Sequence, residues 1–236
     1  MKAGILAAGD GSRLVAAGVS TPKPLLKVGG VSLIERTLRM LVEGGADEIA
    51  FVVNQRMESV VDAVRDLRLP VPVHPVIQTT LSSMHSLHAL APWLMKDRFV
   101  LCTVDSVMRT DEFCDFMRCY AVRTEIDVLL SYTDFVDDEN PLRIGIDGEE
   151  RVVALGPTAG ESPFVTLGLY GMSPSIFPVL ERAVAEGEQR LRNFLSRLLA
   201  ADFRIYGRRI SKGVDVDRTR DVEVAEGFLA EQGGLP

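Results

Sequence analysis

The feature that most restricts the possible folds is the alternation of short apolar runs with amphipathic segments in the first half of the chain. The apolar runs cover residues 2–7, 48–54, 98–105 and 126–132, and each has the length of a buried strand. Segments of helical period separate them. Because parallel strands need a long crossover connection, usually a helix, this order predicts a mainly parallel α/β sheet with helices on both faces.

The helices between these runs are also visible in the sequence. "SLIERTLRMLVEGG" places Ser32 and Glu35 at the spacing of a capping box, and Gly44 and Gly45 end the pattern. We expect further helices over 57–67, 82–94 and 111–122, and a short strand over 73–78.

The pattern changes after residue 140, where a β-hairpin is predicted over 142–155 with its turn near Asp147 and Gly148. We then expect a strand over 164–172, two helices within 175–200, a late strand over 203–207 and a final helix from about 220 to 231. No linker, repeat or low-complexity tract interrupts the chain. The sequence therefore predicts one domain over 1–236, with the hairpin as a small insertion beside the main sheet.

Composition excludes several classes of function. The 236 residues carry a formal net charge of −7 without a basic block, which argues against a nucleic-acid or anionic-membrane surface. No apolar run approaches the roughly 20 residues of a membrane span. The three cysteines form no CxxC pair, and the three histidines lack metal-ligand spacing, so we expect a protein of the reducing cytoplasm.

A glycine-rich loop, "LAAGDGSRL" at 6–14, directly follows the first apolar run. Such a loop allows backbone N–H groups to approach a phosphate. The dinucleotide motif GxGxxG fails at Leu14 and the P-loop motif is absent, while an ordinary strand-to-helix turn remains an alternative. The next segment, "TPKP", fixes the backbone on both sides of Lys23, so we expect an exposed lysine on a stiff loop. A cation held in this way suits a phosphate that is being transferred.

The pattern LAAG-x-G-[ST]-R-L followed by P-K-P-L resembles the signature of the nucleotidyltransferases that make activated sugars and alcohols. The resemblance implies a Rossmann-like three-layer α/β/α sandwich and attack of a phosphorylated acceptor on the α-phosphate of an NTP, with release of pyrophosphate. It also implies that Arg13 contacts the leaving pyrophosphate and Lys23 the α-phosphate. The nucleotide-binding loop would comprise Leu6, Ala7, Ala8, Gly9, Asp10, Gly11 and Ser12.

Departure of pyrophosphate calls for Mg²⁺, which prefers one or two carboxylates plus phosphate oxygens. Asp105 ends the apolar run at 98–105, where open parallel sheets bind their ligands, although it could instead cap the helix near 110. The family resemblance places a metal ligand there. A second ligand is expected in "KGVDVD", where we favour Asp217, with Asp215 hydrogen-bonding beside it; Asp221 is expected to cap the last helix.

The base and the acceptor are less clearly encoded. We expect Asn54, Gln78, Ser82 and Ser83 to read the base, although the two serines could instead cap the helix. "SSMHSL" is similar to choline-phosphate and inositol-phosphate cytidylyltransferases, which favours CTP as the donor. The lysine that many family members carry after the hairpin is missing, so Arg143 or Lys212 is the candidate for binding the acceptor phosphate.

The resulting hypothesis is a Mg²⁺-dependent transfer of a nucleotidyl group to a phosphorylated polyol, aminoalcohol or sugar, as in the biosynthesis of NDP-activated sugars. One alternative is a hexose- or mannose-1-phosphate enzyme that uses UTP or GTP. The other is a nucleotide-sensing module of the same fold without turnover. In each case the partners are small molecules.

Overall fold

A computed structural model of the chain describes residues 1–136 and 140–231. The strands are β1 (Lys2–Leu6), β2 (Lys27–Val28), β3 (Val31–Ser32), β4 (Glu48–Val53), β5 (Val73–Ile77), β6 (Phe99–Thr103), β7 (Ser106–Met108), β8 (Val128–Thr133), β9 (Ile144–Ile146), β10 (Val152–Leu155), β11 (Val165–Met172), β12 (Ile205–Arg209) and β13 (Gly213–Asp215). The α-helices are α1 (Ser12–Ala16), α2 (Leu33–Glu43), α3 (Glu58–Asp66), α4 (Ser83–Ala89), α5 (Ala91–Leu94), α6 (Thr110–Val122), α7 (Phe177–Ala185), α8 (Leu191–Ala200) and α9 (Thr219–Ala230).

Seven strands form the central sheet in the order β12-β8-β11-β6-β1-β4-β5. The neighbours of β1, which are β4 and β6, both run parallel to it. β11 is antiparallel to β6 and to β8, and the remaining pairs are parallel. The predicted mainly parallel sheet is therefore confirmed, with one antiparallel strand inside it.

Helices cover both faces of this sheet. The apolar sides of α2, α3, α6 and α9 pack with β1 and β4 into one core, and those of α4, α5, α7 and α8 pack with β8 into the other. The β9–β10 hairpin contributes Ile144, Val152 and Leu155 to the second core. The three-layer α/β/α sandwich with a small hairpin insertion is therefore confirmed. None of the helices among the described residues is long and apolar enough to cross a membrane.

Local signals explain where several helices begin and end. The Ser32 side chain accepts a hydrogen bond from the backbone N–H of Glu35 at the start of α2, as the capping pattern predicts. The Asp221 carboxylate accepts hydrogen bonds from the backbone N–H groups of Asp217 and Arg218 at the start of α9. Both predicted caps are confirmed.

Two expectations about the elements are wrong, and one pair of strands was not predicted. The single helix predicted over 82–94 is two helices, because Pro92 lacks an N–H and cannot continue the first one. The strand predicted over 98–105 ends at Thr103, so Asp105 lies in the turn that follows it. The sequence also gave no signal for the three-residue pair of β7 with β13, which is antiparallel.

Candidate active site

The loops that follow β1 and β6 open into one cleft of about 550 Å³. Both loops leave the carboxyl ends of neighbouring parallel strands, which is where open α/β sheets bind their ligands. The cleft is lined by residues 6–13, Lys23, Pro24, 80–83, Ser86, 103–105 and Asp217. The whole predicted nucleotide loop thus lies in this cleft, together with Arg13, Lys23, Asp105 and Asp217.

The glycine loop is held in shape by its neighbours. Gly11 has a φ of +59°, which favours glycine, and a Cβ there would lie 3.3 Å from the Cβ of Lys23. The side-chain amide of Asn54 donates hydrogen bonds to the Ala8 carbonyl at 3.4 Å and to Asp10 Oδ1 at 2.9 Å. Asn54 is buried and does not line the cleft. Its contacts fit the role of fixing the loop better than that of reading a base.

Lys23 lies between two carboxylates at the centre of the cleft. Its Nζ is 2.6 Å from Asp105 Oδ2 and 2.5 Å from Asp217 Oδ1, and Arg13 Nη1 is 2.8 Å from Asp217 Oδ2. The expectation of an exposed lysine is wrong, since only 8% of its side chain is accessible. A 3₁₀ turn over Lys23–Leu25, entered from Pro22, directs the side chain inward.

The two partners of this central ion pair hold each other ionised. Burial alone would lower the pKa of Lys23, but the carboxylates of Asp105 and Asp217 raise it above its usual value. Burial would likewise raise the pKa of Asp105, and the Lys23 ammonium lowers it below its usual range. The Lys23 ammonium and the Asp105 carboxylate therefore both favour their charged forms near neutral pH.

Asp215 lies beside this cluster, on β13. Its Oδ1 accepts a hydrogen bond from the Ser106 hydroxyl, and it lines a neighbouring cleft with Phe135, Thr166 and Leu167. The residue as a whole is exposed, but its carboxyl group has protein on several sides. This loss of water, and then the nearby Asp105 carboxylate, raise the pKa of Asp215 above its usual range.

The predicted cation site fits its residues. Two carboxylate oxygens, from Asp105 and Asp217, lie at 2.6 and 2.5 Å from the same ammonium nitrogen, so both are directed at one cationic group. Among the residues that the structure describes, no three His, Cys, Asp or Glu side chains group as a self-sufficient metal site. Two carboxylates completed by phosphate oxygens and water are the donor set typical of Mg²⁺.

The predicted base-reading residues separate into two groups. Ser82 and Ser83 line the cleft, and their Oγ atoms accept hydrogen bonds from the backbone N–H groups of Arg190 and Leu191 at 3.1 and 3.0 Å. Gln78 is exposed outside the cleft. Ser82 is the N-cap residue of α4, as the alternative predicted, but its side chain makes no capping hydrogen bond, and Ser83 is the first residue of the helix.

The two candidates for the acceptor phosphate have other partners. Arg143 donates a hydrogen bond to the Ser162 carbonyl. The Lys212 ammonium lies over the rings of Phe135 and Phe228, at 4.4 and 5.1 Å from their centroids. Neither side chain lines the main cleft, so their role toward an acceptor stays a prediction.

Sequence reasoning missed some residues that line the cleft. Thr80, Ser86 and Thr103 contribute hydroxyl groups to its wall, and the Thr80 and Ser86 hydroxyls lie 2.7 Å apart. Thr103 could have been found from the sequence, because it is two residues before Asp105 at the end of an apolar strand. Ser86 lies within the "SSMHSL" segment but was not singled out, and no comparable pattern exists for Thr80.

Comparison with known proteins identifies a family and several relatives of this chain. The model of the MobA-like NTP transferase domain matches residues 3–202. A bifunctional IPC transferase and DIPP synthase of Rubrobacter xylanophilus is 32% identical over 95% of this chain and 51% of its own length. A 2-aminoethylphosphonate cytidylyltransferase of Lancefieldella rimae is 26% identical over 67% of this chain and 66% of its own. The chain spans about half the length of the first of these relatives.

Solved structures with the same fold are also known. The inositol-1-phosphate CTP transferase from T. maritima has a TM-score of 0.80 at 18% identity and matches 100% of this chain and 98% of its own. A UDP-glucose pyrophosphorylase complexed with UDP-glucose has a TM-score of 0.80 at 16% identity, over 98% of both chains. At these identities the similarity shows the fold.

Proposed function

Because this chain belongs to the MobA-like NTP transferase domain family, we propose that it transfers a nucleotidyl group from an NTP, with CTP favoured, to a phosphorylated polyol, aminoalcohol or sugar. A phosphate oxygen of the acceptor bonds to the α-phosphorus, and the bond from the α-phosphorus to the β-phosphate oxygen breaks. Pyrophosphate leaves with that oxygen. The observation that carries this proposal is the meeting of the glycine loop, Arg13, Lys23 and two carboxylates in one cleft.

Positioning and charge neutralisation account for the proposed roles of the two cationic side chains. The Lys23 ammonium lies at the bottom of the cleft and stays charged, so it can neutralise charge on the α-phosphate. Arg13 is 47% exposed, at the rim formed by the glycine loop, and can turn from Asp217 to the leaving pyrophosphate. The backbone N–H groups of residues 9–12 supply further donors to the phosphates.

We propose that Asp105 and Asp217 hold Mg²⁺, with Asp215 beside them. When bound, the ion supplies positive charge that neutralises the triphosphate and the departing pyrophosphate. The Lys23 ammonium lies between the two carboxylates in the structure. The flexible four-carbon stem of Lys23 would let the ammonium contact the α-phosphate of a bound nucleotide while Asp105 and Asp217 hold the ion.

The preference for CTP is supported by the serines at the start of α4. Ser83 Oγ accepts a hydrogen bond from Leu191 N–H, which leaves the hydroxyl hydrogen to donate to N3 of a cytosine, an acceptor that uracil lacks because its N3 carries a hydrogen. The relative from L. rimae is named a cytidylyltransferase, and the T. maritima neighbour a CTP transferase. The acceptors in their names, an aminoethyl phosphonate and an inositol phosphate, support a polyol or an amino-substituted compound as the acceptor class.

The cysteines support a reducing compartment, and we propose the cytoplasm. Cys102 and Cys114 are buried and Cys119 is half-buried, all three as free thiols. Burial raises the pKa of the Cys102 and Cys114 thiols, so both stay neutral and unreactive.

Release of pyrophosphate from each of the four NTPs, measured against a panel of acceptors, tests the proposed reaction. The panel contains inositol phosphate, choline phosphate, 2-aminoethylphosphonate and hexose 1-phosphates. We expect release from CTP with one of the first three acceptors. Release from UTP or GTP with a hexose 1-phosphate would favour the hexose-phosphate alternative. Tight NTP binding without release from any pair would favour a nucleotide-sensing module.

A further inference from the structure

Ser106 is a buried hydroxyl group at which three segments of the fold meet. Only 6% of the residue is exposed. Its Oγ accepts hydrogen bonds from Thr103 Oγ1 at 3.3 Å and from the backbone N–H of Gly168 at 3.2 Å, and it donates its hydrogen to Asp215 Oδ1. A hydroxyl has one hydrogen and two lone pairs, so every hydrogen-bonding position of Ser106 is used.

The backbone at Gly168 is shaped to admit this hydroxyl. The register of β11 against β8 shifts between Thr166 and Tyr170, which takes Gly168 out of the regular ladder. A Cβ at Gly168 would lie 1.9 Å from Thr103 Oγ1 and 2.5 Å from Ser106 Oγ. The position therefore has no room for a side chain, and its N–H is directed at Ser106.

The same contacts tie together the two segments that carry the proposed metal ligands. Ser106 pairs with Asp215 in the short antiparallel ladder of β7 with β13. Asp105 directly precedes Ser106, and its carbonyl accepts a hydrogen bond from Val216 N–H at 3.0 Å. Asp217 then follows within two residues of Asp215. The side-chain hydrogen bond from Ser106 to Asp215 thus lies at the end of the β7–β13 ladder. Asp105 and Asp217 are the residues that lie just beyond this end.

We propose that Ser106 is a positioning residue that sets the separation of the Asp105 and Asp217 carboxylates and thereby the affinity of their site for a divalent cation. The inference rests on the proposed function for the identity of these ligands. Ser106 does not line the main cleft; it acts through Asp215 and the β7–β13 pair. Groups that hold metal ligands in place typically change metal affinity by tenfold to a hundredfold when they are removed.

The test measures binding of Mn²⁺ alone to the purified protein by electron paramagnetic resonance. We expect Ser106→Ala to raise the Kd for Mn²⁺ by about tenfold to a hundredfold. The Mg²⁺ concentration for half-maximal rate should rise in parallel, with a smaller change in kcat at saturating Mg²⁺. Ser106→Thr, which keeps the hydroxyl, should restore most of the affinity.

Ser131→Ala is the matched control. Ser131 is fully buried on β8, and its Oγ donates a hydrogen bond to the Leu169 carbonyl at 2.8 Å, next to Gly168. The control therefore loses one buried serine bond to the same strand without touching Asp215. We expect it to lower the melting temperature as Ser106→Ala does and to leave the Kd for Mn²⁺ within twofold of the wild type.

Three results would overturn the proposal: an unchanged Kd in folded Ser106→Ala, an equal loss of affinity in the control, or no Mn²⁺ binding by the wild type. If Ser106→Ala does not fold, Ser106→Cys replaces it, because a thiol keeps the shape of the side chain while it is a weaker donor and acceptor. An unchanged Kd for Mn²⁺ in Ser106→Cys would also overturn the proposal. Mn²⁺ binding needs no turnover. A wild type that binds Mn²⁺ but releases no pyrophosphate would refute the proposed function and leave the role of Ser106 standing.

Discussion

At the residue scale, the site depends on one ammonium group that holds two carboxylates together. Lys23 is nearly inaccessible, whereas 27% of the Asp105 side chain and 42% of the Asp217 side chain remain accessible in the cleft. Without the lysine, the carboxylates of Asp105 and Asp217 would lose the cation that they share. Asp217 would keep its ion pair with Arg13. The charge that holds the two carboxylates together is therefore the one that we propose to act on the phosphates of a nucleotide.

Replacement of this lysine should mainly affect the chemical step. We expect Lys23→Met to lower kcat by about 10² to 10³, the usual cost of losing one preorganised charge in an active site. Lys27→Met is the control, because Lys27 is an exposed lysine in the same segment and does not line the cleft. Steady-state kinetics of the wild type and of both variants measures the change in kcat. Normal kcat in Lys23→Met would mean that Lys23 takes no part in the reaction.

The same substitution should make stability depend on pH in a defined direction. The pKa of Asp105 is lowered in the folded protein, so its ion pair stabilises the fold above the unfolded pKa of about 4 and less as pH falls. We expect Lys23→Met to cost about 1 to 3 kcal/mol at pH 7, less than a fully buried pair because both carboxylates contact water. Denaturant unfolding without divalent ions should show a smaller cost at about pH 3 than at pH 7, because the stabilisation is lost as pH falls below the unfolded pKa toward the lowered folded pKa of Asp105. An equal cost at both values would exclude the ion pair as its cause.

The two late aspartates should differ in the severity of their loss. Asp217 points into the cleft, so we expect Asp217→Asn to abolish Mg²⁺-dependent activity with little change in the melting temperature, since the residue is partly exposed. Asp215→Asn should reduce activity by about tenfold to a hundredfold, because it acts beside the ligands. Rates at saturating Mg²⁺ rank the two variants. The reverse order would give the ligand role to Asp215.

At this scale the sequence predicted which side chains meet, but not how they contact each other. The loop motif, "TPKP" and the aspartates at 105 and 217 were all identified beforehand. The burial of Lys23 was not, because its partners lie 82 and 194 residues away along the chain. The bond from Ser106 to Asp215 spans 109 residues and leaves no periodic signal.

At the element scale, the junction of α4 with α8 forms one wall of the cleft. The hydroxyls of Ser82 and Ser83 accept the first backbone N–H groups of the α8 segment, so this wall is fixed from two parts of the chain. Leu81, which is 79% exposed, stands at its edge and offers an apolar surface to a base. The wall therefore combines one apolar surface with oriented hydroxyl donors.

This wall should carry the choice of base. An unsatisfied buried polar group costs about 1 to 3 kcal/mol, so CTP should exceed UTP by about tenfold in kcat/KM. We expect Ser83→Ala to reduce that ratio more than it reduces the rate with CTP. Ser196→Ala is the control, because its Oγ donates to the Arg192 carbonyl within α8, outside the cleft. A ratio that is unchanged in Ser83→Ala would place base selection elsewhere.

Element predictions succeeded where a local signal existed. The caps of α2 and α9 depend on residues three or four positions apart, which a sequence displays directly. The break between α4 and α5 was missed although Pro92 signalled it, because the apolar pattern continues across it. The β7–β13 pair could not be predicted, since each strand has three residues and their pairing is purely tertiary.

At the scale of the whole molecule, the sheet determines where chemistry takes place. β1 and β6 are adjacent and parallel, so the glycine loop after one and Asp105 after the other open into the same cleft. β13 returns late in the chain and brings Asp217 to that cleft, where Lys23 and Arg13 contact it. The parallel order was visible in the alternation of apolar runs, whereas the antiparallel direction of β11 inside the sheet was not.

The fate of the α-phosphorus tests the central claim most directly. CTP labelled at the α-phosphorus is incubated with Mg²⁺, the wild-type protein and the acceptor that supports pyrophosphate release, and the products are separated. The account predicts that the label moves into a compound that contains both the cytidylyl group and the acceptor, in amounts equal to the pyrophosphate formed, and that Lys23→Met forms about 10² to 10³ times less of it per unit time. Label that is recovered only as CTP or free CMP, with no acceptor adduct, would contradict nucleotidyl transfer.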